Sequence, residues 1–73
     1  MIKLIEASSP DELETFVNNW IADQENDIRS IKLIQFVPSM ITRPKPGLKL
    51  VNGQQPIEIV FQAWLNYVFI FHG

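Results

Sequence analysis

The sequence predicts a small α+β domain whose elements follow the order β-α-β-β. Residues 56–71 alternate between apolar and mixed positions, as a half-buried strand does. Residues 9–12 carry the start signal of a helix, and two shorter apolar runs, 2–6 and 29–37, flank that helix. We expect one domain over residues 1–73, with an antiparallel or mixed sheet of three to four strands and the single helix packed on one face.

The run at residues 56–71 organises the predicted fold. It is rich in β-branched and aromatic residues, and every odd-numbered position from Ile57 to Phe71 is apolar. A helix is the alternative, because six residues also follow helical spacing: Ile57, Val60, Phe61, Trp64, Leu65 and Val68. The residue propensities favour the strand. Because such a strand would extend roughly 50 Å, we expect a bend or bulge within it, or different partner strands along its length.

The clearest local signal is Ser9-Pro10-Asp11-Glu12. Ser9 is a favourable N-cap whose hydroxyl can accept a hydrogen bond from the Glu12 amide, and Glu12 can reach back to the Ser9 amide in a capping box. Pro10 occupies the first helical position, where no amide donor is needed. The predicted helix runs to about Gln24. Five of its residues form one apolar stripe with an expected role in the core: Leu13, Phe16, Val17, Trp20 and Ile21.

The second predicted strand covers residues 29–37 and has no cleanly polar face. Strict alternation assigns Ile31, Leu33 and Val37 to one face, with Gln35, and Lys32, Ile34 and Phe36 to the other. We expect Pro38 to end the regular pairing and residues 38–56 to form an irregular, proline-rich loop. Within that loop Asn52-Gly53 favours a type I′ turn, which would pair residues 47–51 with residues 54–59.

The greater hydrophobicity of the last strand places it in the middle of the sheet, in the order 1-3-2. A single helix covers only one face of such a sheet. The other face would expose more apolar surface than soluble monomers usually tolerate. Five residues form the predicted interface on that face: Ile34, Phe36, Val60, Trp64 and Val68. We expect a second copy of the chain to cover them in a two-fold homodimer.

The charges are divided unequally along the chain. Residues 1–27 carry seven acids and one lysine, whereas residues 28–73 carry five basic residues and one acid. The simplest interpretation is a solvated acidic helix face and a solvated basic loop. The alternatives are head-to-tail electrostatic association or a weak anion site at the loop. Because a chain of 73 residues without cysteine has a small core and no disulfide, association with other chains is its common support.

The sequence predicts no enzyme, no metal site and no cofactor. His72 is the only histidine and there is no cysteine, so a catalytic triad lacks a rigidly placed base and a thiol. The acidic composition argues against nucleic-acid binding, and no apolar run predicts a membrane span; we expect a cytoplasmic protein. The alternative function is small-ligand binding, because Trp64 between Gln62 and Asn66 resembles a platform for a planar, flavin-like molecule.

Two resemblances accompany these elements. The βαββ order and the length resemble dodecins, flavin-storage proteins in which a strand tryptophan stacks on the flavin, but residues 34–37 read Ile-Gln-Phe-Val in place of that family's Trp-Phe-Glu-Val. The first half of the chain is similar to a family of short sporulation-associated proteins of Gram-positive bacteria. It shares Met-Ile-Lys at residues 1–3, Leu-Glu-x-x-Val-Asn-x-aromatic at residues 13–20, and Ile-x-x-Ile-Gln-Phe at residues 31–36. This resemblance implies no particular activity.

From these observations together we expect a bacterial or phage-encoded protein. Its expected role is that of a small non-enzymatic homo-oligomer or protein-interaction module.

Overall fold

The structure is a computed structural model that describes residues 1–45, 47 and 52–72. It contains three strands and one helix: β1 (Ile2–Ala7), α1 (Pro10–Gln24), β2 (Arg29–Pro44) and β3 (Ile57–Phe71). The strands form one sheet in the order β1-β3-β2, and β3 runs antiparallel to both neighbours. The α+β fold class, the single helix on the sheet and the central place of the last strand are confirmed. No helix in the described residues is long and apolar enough to cross a membrane.

The helix begins where the sequence predicts, with one difference in its cap. The Ser9 hydroxyl accepts a hydrogen bond from the Glu12 amide at 3.2 Å, as expected of an N-cap. The Glu12 carboxylate, however, accepts from the amide of Ser8 at 3.2 Å rather than from that of Ser9. The reciprocal bond of the capping box is therefore displaced by one residue toward β1. The helix ends at Gln24, and Glu25 follows in an extended conformation.

The second strand is much longer than the sequence predicts. It continues through Pro38 to Pro44, so the first part of the expected irregular loop is regular strand. The physical reason is that β2 lies at the edge of the sheet, where a proline without an amide hydrogen need not interrupt the ladder. Asn52 and Gly53 have φ angles of 52° and 76°, the positive values that a type I′ turn requires. The predicted strand over residues 47–51 falls, apart from Gly47, outside the described residues.

The third strand is unbroken, and the predicted irregularity lies in its neighbour. Residues 57–71 pair with β2 along their whole length, whereas β1 pairs only with residues 61–66. The strand β3 thus keeps one partner, β2, along its whole length and has a second partner only over residues 61–66. The bulge is in β2, between Leu33 and Gln35, where Ile34 is an extra residue. A bulge of this kind reverses the face on which the following residues lie relative to strict alternation.

The buried core lies between α1 and the inner part of the sheet. Six residues from β1, α1 and β3 form it: Ile5, Ala7, Leu13, Val17, Ala63 and Leu65. Within the described residues β2 contributes nothing to this cluster, because α1 lies over β1 and β3. Trp20 packs at its margin, with its ring 5.0 Å from that of Tyr67 in an edge-to-face contact. Its predicted packing role is confirmed.

The molecule is elongated because the hairpin of β2 and β3 extends beyond the helix. Its extents are 61 × 18 × 18 Å and its radius of gyration is 16.5 Å, whereas a compact chain of this length has a radius of about 11 Å. We call the projecting part, residues 40–45 and 56–61, the arm. Ile41 lies opposite Val60 and Pro44 lies opposite Ile57, so the arm is two strands wide.

Candidate interaction surface on the open side of the sheet

The two faces of the sheet differ in what covers them. Ala63 and Leu65 are fully buried in the cluster that contains the helix residues, so the odd-numbered residues of β3 point to what we call the helix side. Because successive side chains of a strand alternate, Trp64 points to the opposite side, which we call the open side. Among the described residues no helix or strand lies over that side.

Trp64 is the centre of an apolar row on the open side. Its cross-strand neighbours are Leu4 in β1 and Val37 in β2. The indole is 42% exposed although it lies in the central strand, and Val37 in the edge strand β2 is also 42% exposed. Ile2 and Val68 extend the row toward the other end of the sheet and are also exposed. We call these five residues the open-side patch.

The structure divides the five residues of the predicted interface. Trp64 and Val68 lie on the open side and are exposed. Val60 shares that side but is only 5% exposed, so it has little surface to offer a partner. Ile34 is the extra residue of the bulge and is exposed.

The prediction that Phe36 faces the open side is wrong. Phe36 lies opposite Leu65, and the bulge places it on the helix side instead. The same shift moves Val37, which the sequence pattern assigned to the helix side, into the row of Trp64. The only sequence signal for this irregularity is Gln35, which interrupts the apolar positions of residues 29–37.

A polar ladder borders the open-side patch at its distal end. The Gln62 side chain is buried; its amide nitrogen donates to the Glu6 carboxylate at 2.8 Å, and its oxygen accepts from the Ser39 hydroxyl at 3.0 Å. Arg43 continues the ladder with ion pairs to Glu58 at 3.0 Å and Glu6 at 3.5 Å. The hydrogen bond that the Arg43 guanidinium donates to Glu58, followed by the negative charges of Glu6 and Glu58, raises the pKa of that guanidinium. Gln62 therefore has protein partners for its amide and does not present it beside Trp64 for a ligand.

The remaining chemically reactive side chains do not converge. The His72 ring lies 3.1 Å from the Ser30 hydroxyl. The backbone amide of His72 donates to the carbonyl of Ile28 at 2.8 Å, at the end of the sheet where β2 begins and β3 ends. Within the described part of the chain no three histidine or carboxylate side chains group in a way that could hold a metal ion. Among the described residues, the open-side patch is therefore the candidate functional surface.

Comparisons of this chain with family models, with curated proteins and with solved structures give no match. The similarity to the sporulation-associated family stays a prediction.

Proposed function

We propose that this chain is a non-enzymatic protein that acts through self-association, with a two-fold homodimer formed across the open-side patch. The observation that carries the proposal is the row in which Trp64 stands between Leu4 and Val37 on an uncovered sheet face. Tryptophan is enriched among the residues that dominate binding energy at interfaces. A two-fold contact brings the same patch of each copy together, which suits a surface with an apolar centre at Trp64.

The surroundings of the patch support an interface. Asn66, Gln35 and Lys32 lie in the rows beyond Trp64, and the ladder of Glu6, Gln62 and Ser39 lies on its other side. An apolar centre within a polar rim is the usual anatomy of a protein interface. Covering the patch removes apolar area from water, and each Å² of apolar area buried contributes about 25 cal/mol to the free energy of association.

Mass measurement tests this proposal. Light scattering behind a sizing column, repeated across dilution, should give an assembly for the wild-type chain and half of that mass for Trp64→Asp. The matched control is Ile28→Asp, because Ile28 is 62% exposed and lies in the turn before β2, outside the sheet. A wild-type monomer at every concentration would refute the proposal, as would an unchanged mass for the Trp64 variant.

Flavin titration separates this function from ligand binding. Self-association predicts that the fluorescence of Trp64 does not respond to flavin mononucleotide. Quenching that disappears in Trp64→Phe but persists in Trp20→Phe would instead place a planar ligand on the open side. The proposal would then have to be replaced.

A further inference from the structure

The arm carries a second uncovered apolar surface, on the helix side. Met40, Ile57 and Ile59 are 62%, 63% and 50% exposed. They share a side with Phe61, because Met40 lies opposite Phe61 and the odd-numbered residues of β3 point the same way. The helix covers none of the three, since it packs over the part of the sheet that includes β1. This apolar surface faces away from the open-side patch.

A groove lies on the same side of the molecule, between α1 and β2. Leu13, Val17 and Ile21 form its helix wall, and Leu33 and Phe36 form its floor, with Glu14 at the rim. Its volume is about 300 Å³. The groove exists because β2 contributes nothing to the buried core among the described residues. Leu33 and Phe36 are therefore 40% and 47% exposed although they flank the core.

We propose that the arm of one copy lies in the groove of a second copy, and that the arm of the second copy lies in the groove of the first, in an antiparallel two-fold contact. The two surfaces are both apolar and lie on the same side, so a two-fold contact can bring Ile59 of each copy close to Phe36 of the other. The arm cannot occupy its own groove, because β2 and β3 are paired without a break from the groove to the tip. A second chain must supply the occupant.

The dimensions of the two parts agree. The fifteen residues of α1 make a helix of about 22 Å, and the six arm residues 40–45 extend about 20 Å. An 8.4 kDa chain that folds compactly exposes about 4600 Å², whereas this chain exposes 5423 Å². The surplus of about 800 Å² reflects an elongated chain that exposes more surface than a compact one.

The charges agree with the same arrangement. The C-terminal end of a helix carries the negative end of its dipole, and the last turn of α1 contains no basic residue that would compensate it. In the arm, Glu58 is paired with Arg43, and Lys45 is exposed near the tip. The antiparallel two-fold contact brings that lysine toward the last turn of the partner's helix. This arrangement follows the division of the chain into an acidic first part and a basic second part.

The contact is independent of the open-side patch, and two contacts on opposite faces of the sheet link copies into an assembly larger than a dimer. Expected masses are more than two chains for the wild type and two each for Trp64→Asp and for the double variant Met40→Asp, Ile59→Asp. Combining all three substitutions should give one chain. If the arm variant keeps the wild-type mass while Trp64→Asp halves it, the arm contact is wrong and the open-side dimer stands. The opposite pair of results removes the open-side dimer and leaves the arm contact. Circular dichroism of each variant checks that the fold is retained.

A cross-link tests the geometry directly, because the chain has no cysteine of its own. Ile59 lies opposite Thr42, six residues from Phe36 on β2, so the two positions are about 20 Å apart within one chain, too far for a disulfide. Oxidation of the Ile59→Cys, Phe36→Cys variant should therefore yield covalently linked chains. The matched control pairs Ile59→Cys with Ile28→Cys, because Ile28 is exposed in the turn before β2, outside both proposed contacts, and should not link. Equal linking in both variants, or none in the first, overturns the proposed contact.

Discussion

Phe36 lies opposite Leu65 across β2 and β3, so the bulge at Ile34 decides which side of the sheet the second half of β2 presents. Leu33 pairs with Tyr67 and Gln35 with Asn66, and the extra residue between them has no partner of its own. Without the bulge, Phe36 would lie beside Trp64. With it, Phe36 forms the floor of the groove and Val37 joins the open-side patch.

Deleting Ile34 should leave the fold intact. Every other cross-strand pair of β2 can persist, because Leu33 and Gln35 already face consecutive residues of β3. We expect a change in the free energy of unfolding of no more than about 1 kcal/mol, the size of an ordinary substitution. Urea denaturation measures this difference.

Deleting Val37 is the matched control. One-to-one pairing could then be restored only by moving Gln35 opposite Leu65 and Phe36 opposite Trp64, which turns a polar side chain toward the core. We expect a loss of about 2 kcal/mol or more, since an amide would lie against an apolar cluster. Equal stability of the two deletion variants would show that the bulge does not set the register.

The elements of this fold differ in how far local sequence signals determine them. The helix and β3 are predictable because their signals are local: a cap at Ser9, an apolar stripe, and a long run of strand-forming residues. The side on which Phe36 lies is not local. It depends on where the extra residue is accommodated, which pairing with β3 determines, and Gln35 was the only local sign of it.

The extent of β2 illustrates a second limit. Pro38 and Pro44 argue for a loop when the sequence is considered one segment at a time. Their cost depends on whether the missing amide faces a neighbouring strand, and this is a property of the assembled sheet. An uncovered sheet face could be foreseen from the presence of a single helix, but of the five predicted interface residues only Trp64 and Val68 belong to the open-side patch. The arm required knowing that β2 is long.

Truncation of the core should nearly unfold the protein. Leu65 is fully buried beside Ala63, with 0% of its surface exposed. Leu65→Ala therefore leaves a cavity that should lower the free energy of unfolding by about 2–5 kcal/mol. The total free energy of unfolding of a chain of this size is roughly 4–11 kcal/mol. Urea denaturation should show a large fall in the midpoint concentration. Ile28→Ala, at a position that is 62% exposed in the turn before β2, is the control, and a similar loss in both variants would contradict the assignment of the core.

The helix cap can be tested separately from the core. Ser9→Ala removes the hydroxyl that accepts from the Glu12 amide and should lower the free energy of unfolding by about 1 kcal/mol. Ser8→Ala is a close control, because Ser8 donates to Glu12 through its backbone amide, which alanine keeps. Thermal unfolding followed by circular dichroism measures both. A loss in the Ser8 variant as large as in the Ser9 variant would mean that the hydroxyl of Ser9 is not the cap.

The polar ladder predicts a pH-dependent variant. In Gln62→Glu a carboxyl replaces the amide that donates to Glu6 at 2.8 Å, so a hydrogen bond is lost and two negative charges approach each other. The repulsion raises the pKa of the introduced carboxyl in the folded state. A carboxyl whose folded pKa lies above its unfolded value destabilises the fold above the folded pKa, and this penalty disappears as the pH falls below the unfolded value, about 4.3.

Urea denaturation at several pH values should therefore show Gln62→Glu about 1–3 kcal/mol less stable than the wild type at pH 7, with the difference shrinking toward pH 4. Gln62→Met is the control, because it removes the same hydrogen bonds without adding a charge, and its deficit should change little over this range. If the two variants lose stability in parallel at every pH, the carboxyl at position 62 does not interact with Glu6. The ladder would then not be the polar border that separates the open-side patch from the arm.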